Sequence, residues 1–365
     1  MSGTLRDVSL GQTSLYQKHI DLKAKMAPFA GYDMPIQYTS VKEEVIAVRK
    51  NVGVFDVSHM GEFFVEGEAA HDFVDYIITN DFMGAELHKA VYSPLCREDG
   101  TVIDDLIAYK IGSEEVLICV NAANIKKDWD WIVAQSKKFK VSLTNKSEQY
   151  SLLAIQGPKS EEVLKSLEIL DDIEFPYYAA KKLNVLNQDI ILARTGYTGE
   201  DGFEVFCSHE FAGELWDKFL SKGVAPCGLA SRDVLRLEVC YPLYGHEIND
   251  EVTPLDAGLK WTVKMDKENY IGKQALSEYK PKYRLIKLSL DKGIPRDDYP
   301  ILDENENVIG KVTSGTMSVA LGKGICLAHV EKEKFPESKK FLVEIRGRKY
   351  EANYHTKAFI SGGHK

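Results

Sequence analysis

The chain has 365 residues, 44% of them apolar and 28% charged, with 55 acidic against 46 basic side chains and a formal net charge of -9. This composition excludes intrinsic disorder, collagen and coiled coil. At this length folding removes about 75% of the surface the unfolded chain exposes, so a large core forms without disulfide staples. The negative charge, with only short basic clusters such as Lys137-Lys138-Phe139-Lys140, speaks against nucleic acid as the main partner.

In chain order, Ser40-x-x-Glu43 ahead of Val45, Ile46 and Val48 has the form of a capping box, and predicts an amphipathic helix that Gly53 closes. From Val54 to Val65 the alternation is loose, and Phe73, Val74, Ile77 and Ile78 return to helical spacing. Three strands follow at 91–96, 101–110 and 115–121, separated by the hairpin signals Asp99-Gly100 and Gly112-Ser113. A helix around Trp129, Ile132 and Val133, a strand at 150–156 ended by Gly157-Pro158, and a helix to Leu167 continue the mixture. Strand-like Ile190–Arg194 enters the glycine-rich Thr195–Gly202 loop, and Phe203–Phe206 resumes a strand. Helices follow around Phe211, Leu215 and Phe219 and over Leu229–Val239. Hairpins alternate with helices without βαβ repetition, which predicts an α+β fold and not a dinucleotide-binding one. After about residue 283 short strands alternate with turns at Asp291-Lys292-Gly293, Glu304–Asn307 and Arg346-Gly347-Arg348, and predict a small all-β barrel.

The six cysteines show no C-x-x-C spacing and read as buried thiols in a reducing compartment. No run of about 18 apolar residues occurs, and Met1–Leu10 lacks the apolar stretch of a signal peptide. A cytoplasmic protein that does not enter the membrane is expected.

The acid candidates are Asp104 and Asp105, inside the strand-forming run Val102–Tyr109. Adjacent strand residues point to opposite faces, so the two cannot act together on one substrate atom. Alternation puts Asp105 with Ile103, Ile107 and Tyr109, and Asp104 with Val102, Leu106 and Ala108. Either carboxylate in such apolar company must be hydrogen-bonded or functional, with a satisfied turn or edge residue as the structural explanation. The Thr195–Gly202 loop could hold Tyr197 as a stacking surface, although turn chemistry alone explains such a loop, and it is no phosphate loop. Glu204 could accept hydrogen bonds from an amino-heterocycle or be a solvated strand residue. Arg232 and Arg236, one helical turn apart, could clamp a carboxylate or form internal ion pairs. His59 has no nucleophile motif beside it, and the nine histidines show no ligand spacing, so no metal is expected.

Phe29-Ala30-Gly31-Tyr32, Met34–Tyr38, Gly53–Met60, Gly100–Asp105, Ile155–Pro158, Arg194–Glu200, Cys227–Asp233 with Leu235–Glu238, Leu243-Tyr244-Gly245 and Thr313–Thr316 together resemble, in order, the glycine cleavage T-protein or aminomethyltransferase family. The resemblance spans about residues 15–360 and implies a three-lobed, cloverleaf-like fold around a tetrahydrofolate cavity. Residues 1–282 would form the folate-binding region in two α+β lobes, and 283–365 the C-terminal β-barrel. The implied reaction takes the aminomethyl group from the dihydrolipoyl arm of lipoylated H protein. It releases ammonia and gives 5,10-methylenetetrahydrofolate, with tetrahydrofolate as co-substrate and neither metal nor flavin. By the same resemblance Asp105 is the family's key carboxylate, Tyr92 and Tyr109 line its cavity, and Tyr197 neighbours the pteridine. Glu204 accepts from the pterin amino group, Arg232 meets the glutamate tail, and Tyr177 is a further candidate. The family often carries aromatic residues where this chain ends Ser361-Gly362-Gly363-His364-Lys365. Two competing readings share the fold: a folate-dependent demethylase-type domain, and a folate-binding iron-sulfur assembly factor without turnover. The second requires a K-G-C-Y-x-G-Q-E segment from which Glu238–Glu247 departs in the placement of Cys240.

Overall fold

The computed structural model describes residues 10–171 and 175–363, so most of the N-terminal stretch considered above, and the last two residues of the C-terminal tail, lie outside the described residues. Helix α1 (Tyr16–Asp21) leads into a hairpin of β1 (Lys25–Phe29) and β2 (Tyr32–Gln37). Helix α2 (Val41–Lys50) starts at the expected box, where Ser40 Oγ accepts from the Glu43 N–H at 3.1 Å and donates to Glu43 Oε2 at 2.9 Å. Gly53 does not close this helix, which is capped at Asn51; it opens β3 (Gly53–Asp56). The reason is close approach: a Cβ at Gly53 would lie 2.6 Å from Cys227 Sγ and 2.8 Å from Val48 Cγ2. The loose alternation that follows resolves into β3 and β4 (Gly61–Glu66), both buried on both faces, and buried strands need not alternate.

Helix α3 (Ala70–Ile77) precedes the expected meander of β5 (Ala90–Cys96), β6 (Val102–Gly112) and β7 (Glu115–Val120). Then come α4 (Ile125–Ser136), β8 (Ser142–Asn145), β9 (Tyr150–Gln156) and α5 (Ser160–Ser166). Strands β10 (Ala180–Val185), β11 (Gln188–Ala193) and β12 (Gly202–Ser208) lead to α6 (His209–Ser221), β13 (Ala225–Pro226) and α7 (Leu229–Glu238). A long connection from 239 to 272, with little regular structure, reaches α8 (Lys273–Glu278). The barrel strands are β14 (Tyr283–Leu290), β15 (Pro300–Leu302), β16 (Val308–Met317), β17 (Gly324–Glu331), β18 (Phe341–Ile345) and β19 (Arg348–His355).

These strands make three lobes. One is the antiparallel sheet β5-β6-β7-β4-β8, covered by α3 and α4 through Phe73, Val74, Ile77 and Ile132. The second is the sheet β10-β11-β12-β9-β3-β13, antiparallel except at β13, with α5 and α6 packed on one face through Leu164, Phe211, Leu215 and Trp216. The third is a closed barrel, β14-β17-β16-β15-β18-β19, completed where Lys287 pairs with His355. A continuous core of Phe55, Phe64, Tyr109, Leu152 and Phe206 joins the first two sheets. Each fully buried aromatic or branched side chain there contributes roughly 2–3 kcal/mol of burial. The 239–272 connection passes between the lobes and leaves a central cavity of about 1290 Å³. No helix among the described residues is long and apolar enough to cross a membrane.

Candidate active site

Strand β6 supplies one wall. Asp105, Ile107 and Tyr109 line the cavity, whereas Asp104 is fully buried on the other side, toward α4. Ile103, expected beside Asp105, departs from that alternation. Leu95 pairs with Asp104 and Cys96 with Val102, so Ile103 is the extra residue of a β-bulge and joins Leu106 and Ala108 in the core under α3 and α4. Asp105 is held at both oxygens: Tyr92 Oη donates to Oδ2 at 2.9 Å and Asn121 Nδ2 to Oδ1 at 2.9 Å. Asn121 is the residue just past the end of β7, where no further ladder forms, and its amide reaches Asp104 Oδ1 as well, at 2.8 Å. Burial, and then the neighbouring charge of Asp104, push the Asp105 carboxyl up to about 7, against the opposing hydrogen bonds from Tyr92 and Asn121.

The second sheet supplies the facing wall. Glu204 on β12 is buried, and its Oε2 accepts from Thr195 Oγ1 and from Tyr109 Oη at 3.3 Å. Oε1 receives no donor from the described residues and is left for the cavity. Arg232 on α7 lies with its guanidinium 4.9 Å from the Tyr197 ring centre, and its Nη1 is buried without a partner. Burial pulls that guanidinium's pKa down while Glu204 and Tyr197 oppose the shift. Tyr197 Oη donates to the Pro242 carbonyl, which fixes the ring beside Tyr241 at 5.9 Å. Its loop is closed at the base by Arg194, which pairs with Asp201 at 2.6 and 2.9 Å, and is tied to α7 by Arg49, which bonds the Thr198 carbonyl, Glu200 and Glu238. Tyr177 also lines the cavity, edge-on to Tyr178 at 4.8 Å.

All seven candidates, Tyr92, Asp105, Tyr109, Tyr177, Tyr197, Glu204 and Arg232, therefore border one cavity. Arg236 does not: its N–H groups are committed to Asp233, Glu247, Ser314 and the Tyr241 carbonyl at 2.8–3.1 Å. His59 does border the cavity, buried against the edge of Phe29 with Nδ1 unpartnered, and burial pushes its pKa down to about 4, so the ring is neutral. Sequence reasoning missed Asn121, Tyr178, Tyr241 and the exposed Trp261, which stacks on Tyr92 at 5.9 Å. The polar Asn121 ending an apolar strand was the one available signal. No group of three or more His, Cys, Asp or Glu side chains suited to a metal ion occurs among the described residues.

The arrangement suits a flat, polar heterocycle. Aromatic rings form its sides, and Glu204 Oε1 offers an acceptor to an amino edge. The orphaned Arg232 Nη1 offers a donor, and Asp105 an anion beside any developing positive charge.

Comparisons with known proteins point the same way. A family model described as the GCVT N-terminal domain matches residues 15–267, and one described as the glycine cleavage T-protein C-terminal barrel domain matches residues 284–360. The chain is 44% identical over 363 residues to an aminomethyltransferase of Pseudothermotoga lettingae, covering 97% of this chain and 99% of that one. It is 47% identical over 329 residues to that of Thermotoga petrophila, covering 88% and 90%. Among solved structures, the glycine cleavage system aminomethyltransferase T from Bartonella henselae aligns with a TM-score of 0.92 at 30% identity, over 98% of this chain and 99% of that one.

Proposed function

We infer that this chain, which belongs to the glycine cleavage T-protein family, is an aminomethyltransferase whose substrates are the aminomethyl group on the dihydrolipoyl arm of lipoylated H protein and tetrahydrofolate. The observation that carries the substrate reading is Asp105, fixed by Tyr92 and Asn121 in a cavity whose facing wall holds Arg232 Nη1 unpaired and Glu204 with donors on Oε2 alone. Two nitrogens of tetrahydrofolate replace the amino nitrogen and the lipoyl sulfur on the one-carbon unit. The carbon–nitrogen and carbon–sulfur bonds break, ammonia and the free dihydrolipoyl thiol leave with the protons those nitrogens give up, and the folate departs as 5,10-methylenetetrahydrofolate. Tyr92, Tyr109, Tyr177 and Tyr197 form its aromatic walls, Glu204 accepts from the pterin amino edge, and Arg232 donates to an anionic or carbonyl oxygen.

Asp105 acts on charge. As the carbon–nitrogen bond to the departing ammonia breaks, positive charge grows on the one-carbon unit, and a fixed carboxylate beside it lowers the barrier by about 2.7–4 kcal/mol. Tyr92 and Asn121 hold that carboxylate in place before the reaction, so it needs no reorientation during it. In this reading residues 1–282 are the folate-binding region and 283–365 the barrel that walls it. The protein works in the cytoplasm, where its cysteines, all free among the described residues, stay reduced. No observation favours the iron-sulfur assembly reading, and the relatives named above are called aminomethyltransferases.

The test is ammonia release from aminomethyl-loaded H protein, with and without tetrahydrofolate, by the wild type and Asp105→Asn. Folate-stimulated release that collapses in the variant supports the reading. Folate binding with no release by either protein refutes it.

A further inference from the structure

Behind Asp105 lies a second carboxylate pair that the reaction above does not use. Asp104 is fully buried and accepts three hydrogen bonds, from the Asn121 N–H at 3.1 Å, Asn121 Nδ2 at 2.8 Å and Asn124 Nδ2 at 2.7 Å. Asp128, in the first turn of α4, is equally buried, and neither of its oxygens meets a donor. Its carboxyl lies within hydrogen-bonding reach of Asp104. Two carboxylates so close in a buried site cannot both be ionised. The three N–H donors all stabilise charge on Asp104 and none serves Asp128, so the proton sits on Asp128. Its O–H then gives Asp104 a fourth hydrogen bond and gives one of the two unpartnered Asp128 oxygens a partner.

The pair bears on the cavity through Asn121. That side chain donates from Nδ2 to Asp104 Oδ1 at 2.8 Å, to Asp105 Oδ1 at 2.9 Å and to the Asp105 main-chain carbonyl at 3.1 Å. The main-chain bond holds the amide at one point and leaves its tilt open; the second anchor on Asp104 sets that tilt, and with it where the Asp105 carboxylate points. We propose that Asp128 is a positioning residue: it stays protonated, donates to the Asp104 carboxylate, and through Asp104 and Asn121 holds Asp105 at the cavity wall. Burial and the adjacent Asp104 charge both push the Asp128 carboxyl far up, in keeping with this assignment. The other titratable groups facing the cluster are Tyr92 on β5, Cys119 on β7, Tyr197 on the glycine-rich loop, Tyr244 on the 239–272 connection, and Lys127 on α4. Lys127 Nζ is turned to Tyr244 Oη at 2.6 Å, away from any role as donor to Asp128.

The positioning role rests on the transferase reading; the proton does not. Infrared difference spectra of the full chain, wild type against Asp128→Asn at pH 8, report the proton. The protonated carboxyl of Glu62, buried without a donor and pushed well up by burial, is common to all the proteins and cancels in the difference. Loss of a protonated-carboxyl band in the Asp128→Asn difference and none in that of Asp105→Asn is expected, and a difference spectrum without that loss for Asp128→Asn overturns the assignment. In the ammonia-release assay Asp128→Asn keeps kcat within about twofold, because a carboxamide donates to Asp104 as the neutral acid does. Asp128→Ala loses between about ten- and a hundredfold in kcat with the KM for tetrahydrofolate unchanged. Equal losses in both variants would mean that an ionised Asp128 is needed, and an Asp128→Ala protein with unchanged kcat would make the residue merely structural; either overturns the proposal. If Asp128→Ala fails to fold, Asp128→Asn and the infrared band still decide. Absence of folate-stimulated release by the wild type overturns the transferase reading and the positioning role with it, while the infrared result continues to report the proton.

Discussion

Replacing Asp105 by Asn moves activity and stability in opposite directions, and the stability change depends on pH in a way the structure dictates. The Asp105 carboxyl is pushed from its ordinary 3.8 up to about 7, first by burial and then by Asp104. Below about pH 4 it is neutral both folded and unfolded, and contributes nothing to the pH dependence. As the pH rises toward 7 the unfolded chain ionises first, so the folded wild type loses stability across that window. Above pH 7 the loss is complete, on the order of 2–4 kcal/mol once the partial opening of the site to solvent is allowed for. An amide keeps the shape and cannot ionise, so Asp105→Asn is more stable than the wild type at pH 8, and the gap closes toward pH 4. Activity goes the other way: without the anion, folate-stimulated ammonia release falls by at least about 10²-fold. Urea denaturation at several pH values, run beside the release assay, checks both. A variant that is less stable at pH 8, or a stability gap that does not change with pH, would refute the electrostatic account even if activity fell.

Glu204→Gln turns an amide N–H toward the cavity where the carboxylate accepts, and is expected to raise the KM for tetrahydrofolate by about tenfold or more with little change in thermal stability, read by folate titration and calorimetry. Arg236→Met leaves the fully buried Glu247 without its 3.1 Å partner and should cost about 3–5 kcal/mol in urea denaturation, with folate affinity unchanged in the folded protein. Gly157→Ala is expected to lower the urea midpoint strongly, since Gly157 has φ +128° and an added Cβ would lie 2.4 Å from the Asn51 carbonyl oxygen and 2.6 Å from that of Val48.

Local rules carried much of the fold. The Ser40 capping box, the Asp99-Gly100 and Gly112-Ser113 turns and the change of pattern near residue 283 are each written in a few adjacent residues, and the corresponding elements form. Failures came where contacts between distant segments override local pattern. Gly53 reads as a helix stop, yet it serves the approach of β3 to Cys227, 174 positions along the chain. Ile103 follows strand parity on paper and breaks it at a bulge that only pairing with β5 reveals. The hairpin of β1 and β2 is half exposed and lacks a clean apolar alternation.

The candidate site divides along the same line. Strand parity alone separates Asp105 from Asp104, because alternation is a property of the strand itself. It could not separate Arg232 from Arg236, which share a helix face and a residue type. What distinguishes them is how far the surrounding protein completes their hydrogen bonding. Arg236 is enclosed by Asp233, Glu247, Ser314 and the Tyr241 carbonyl, contributed by α7, the 239–272 connection and the barrel, and has nothing left to offer a ligand. Arg232 keeps an unpaired Nη1 on a cavity wall, as His59 keeps Nδ1, and the donors to Glu204 both reach Oε2 and leave Oε1 available. An unpartnered buried polar atom is not in itself functional; those of Trp216 and Trp131 lie among side chains away from the cavity. It is the combination of unfinished hydrogen bonding with a cavity surface that marks a group for a ligand, and that combination depends on all three lobes closing around one space.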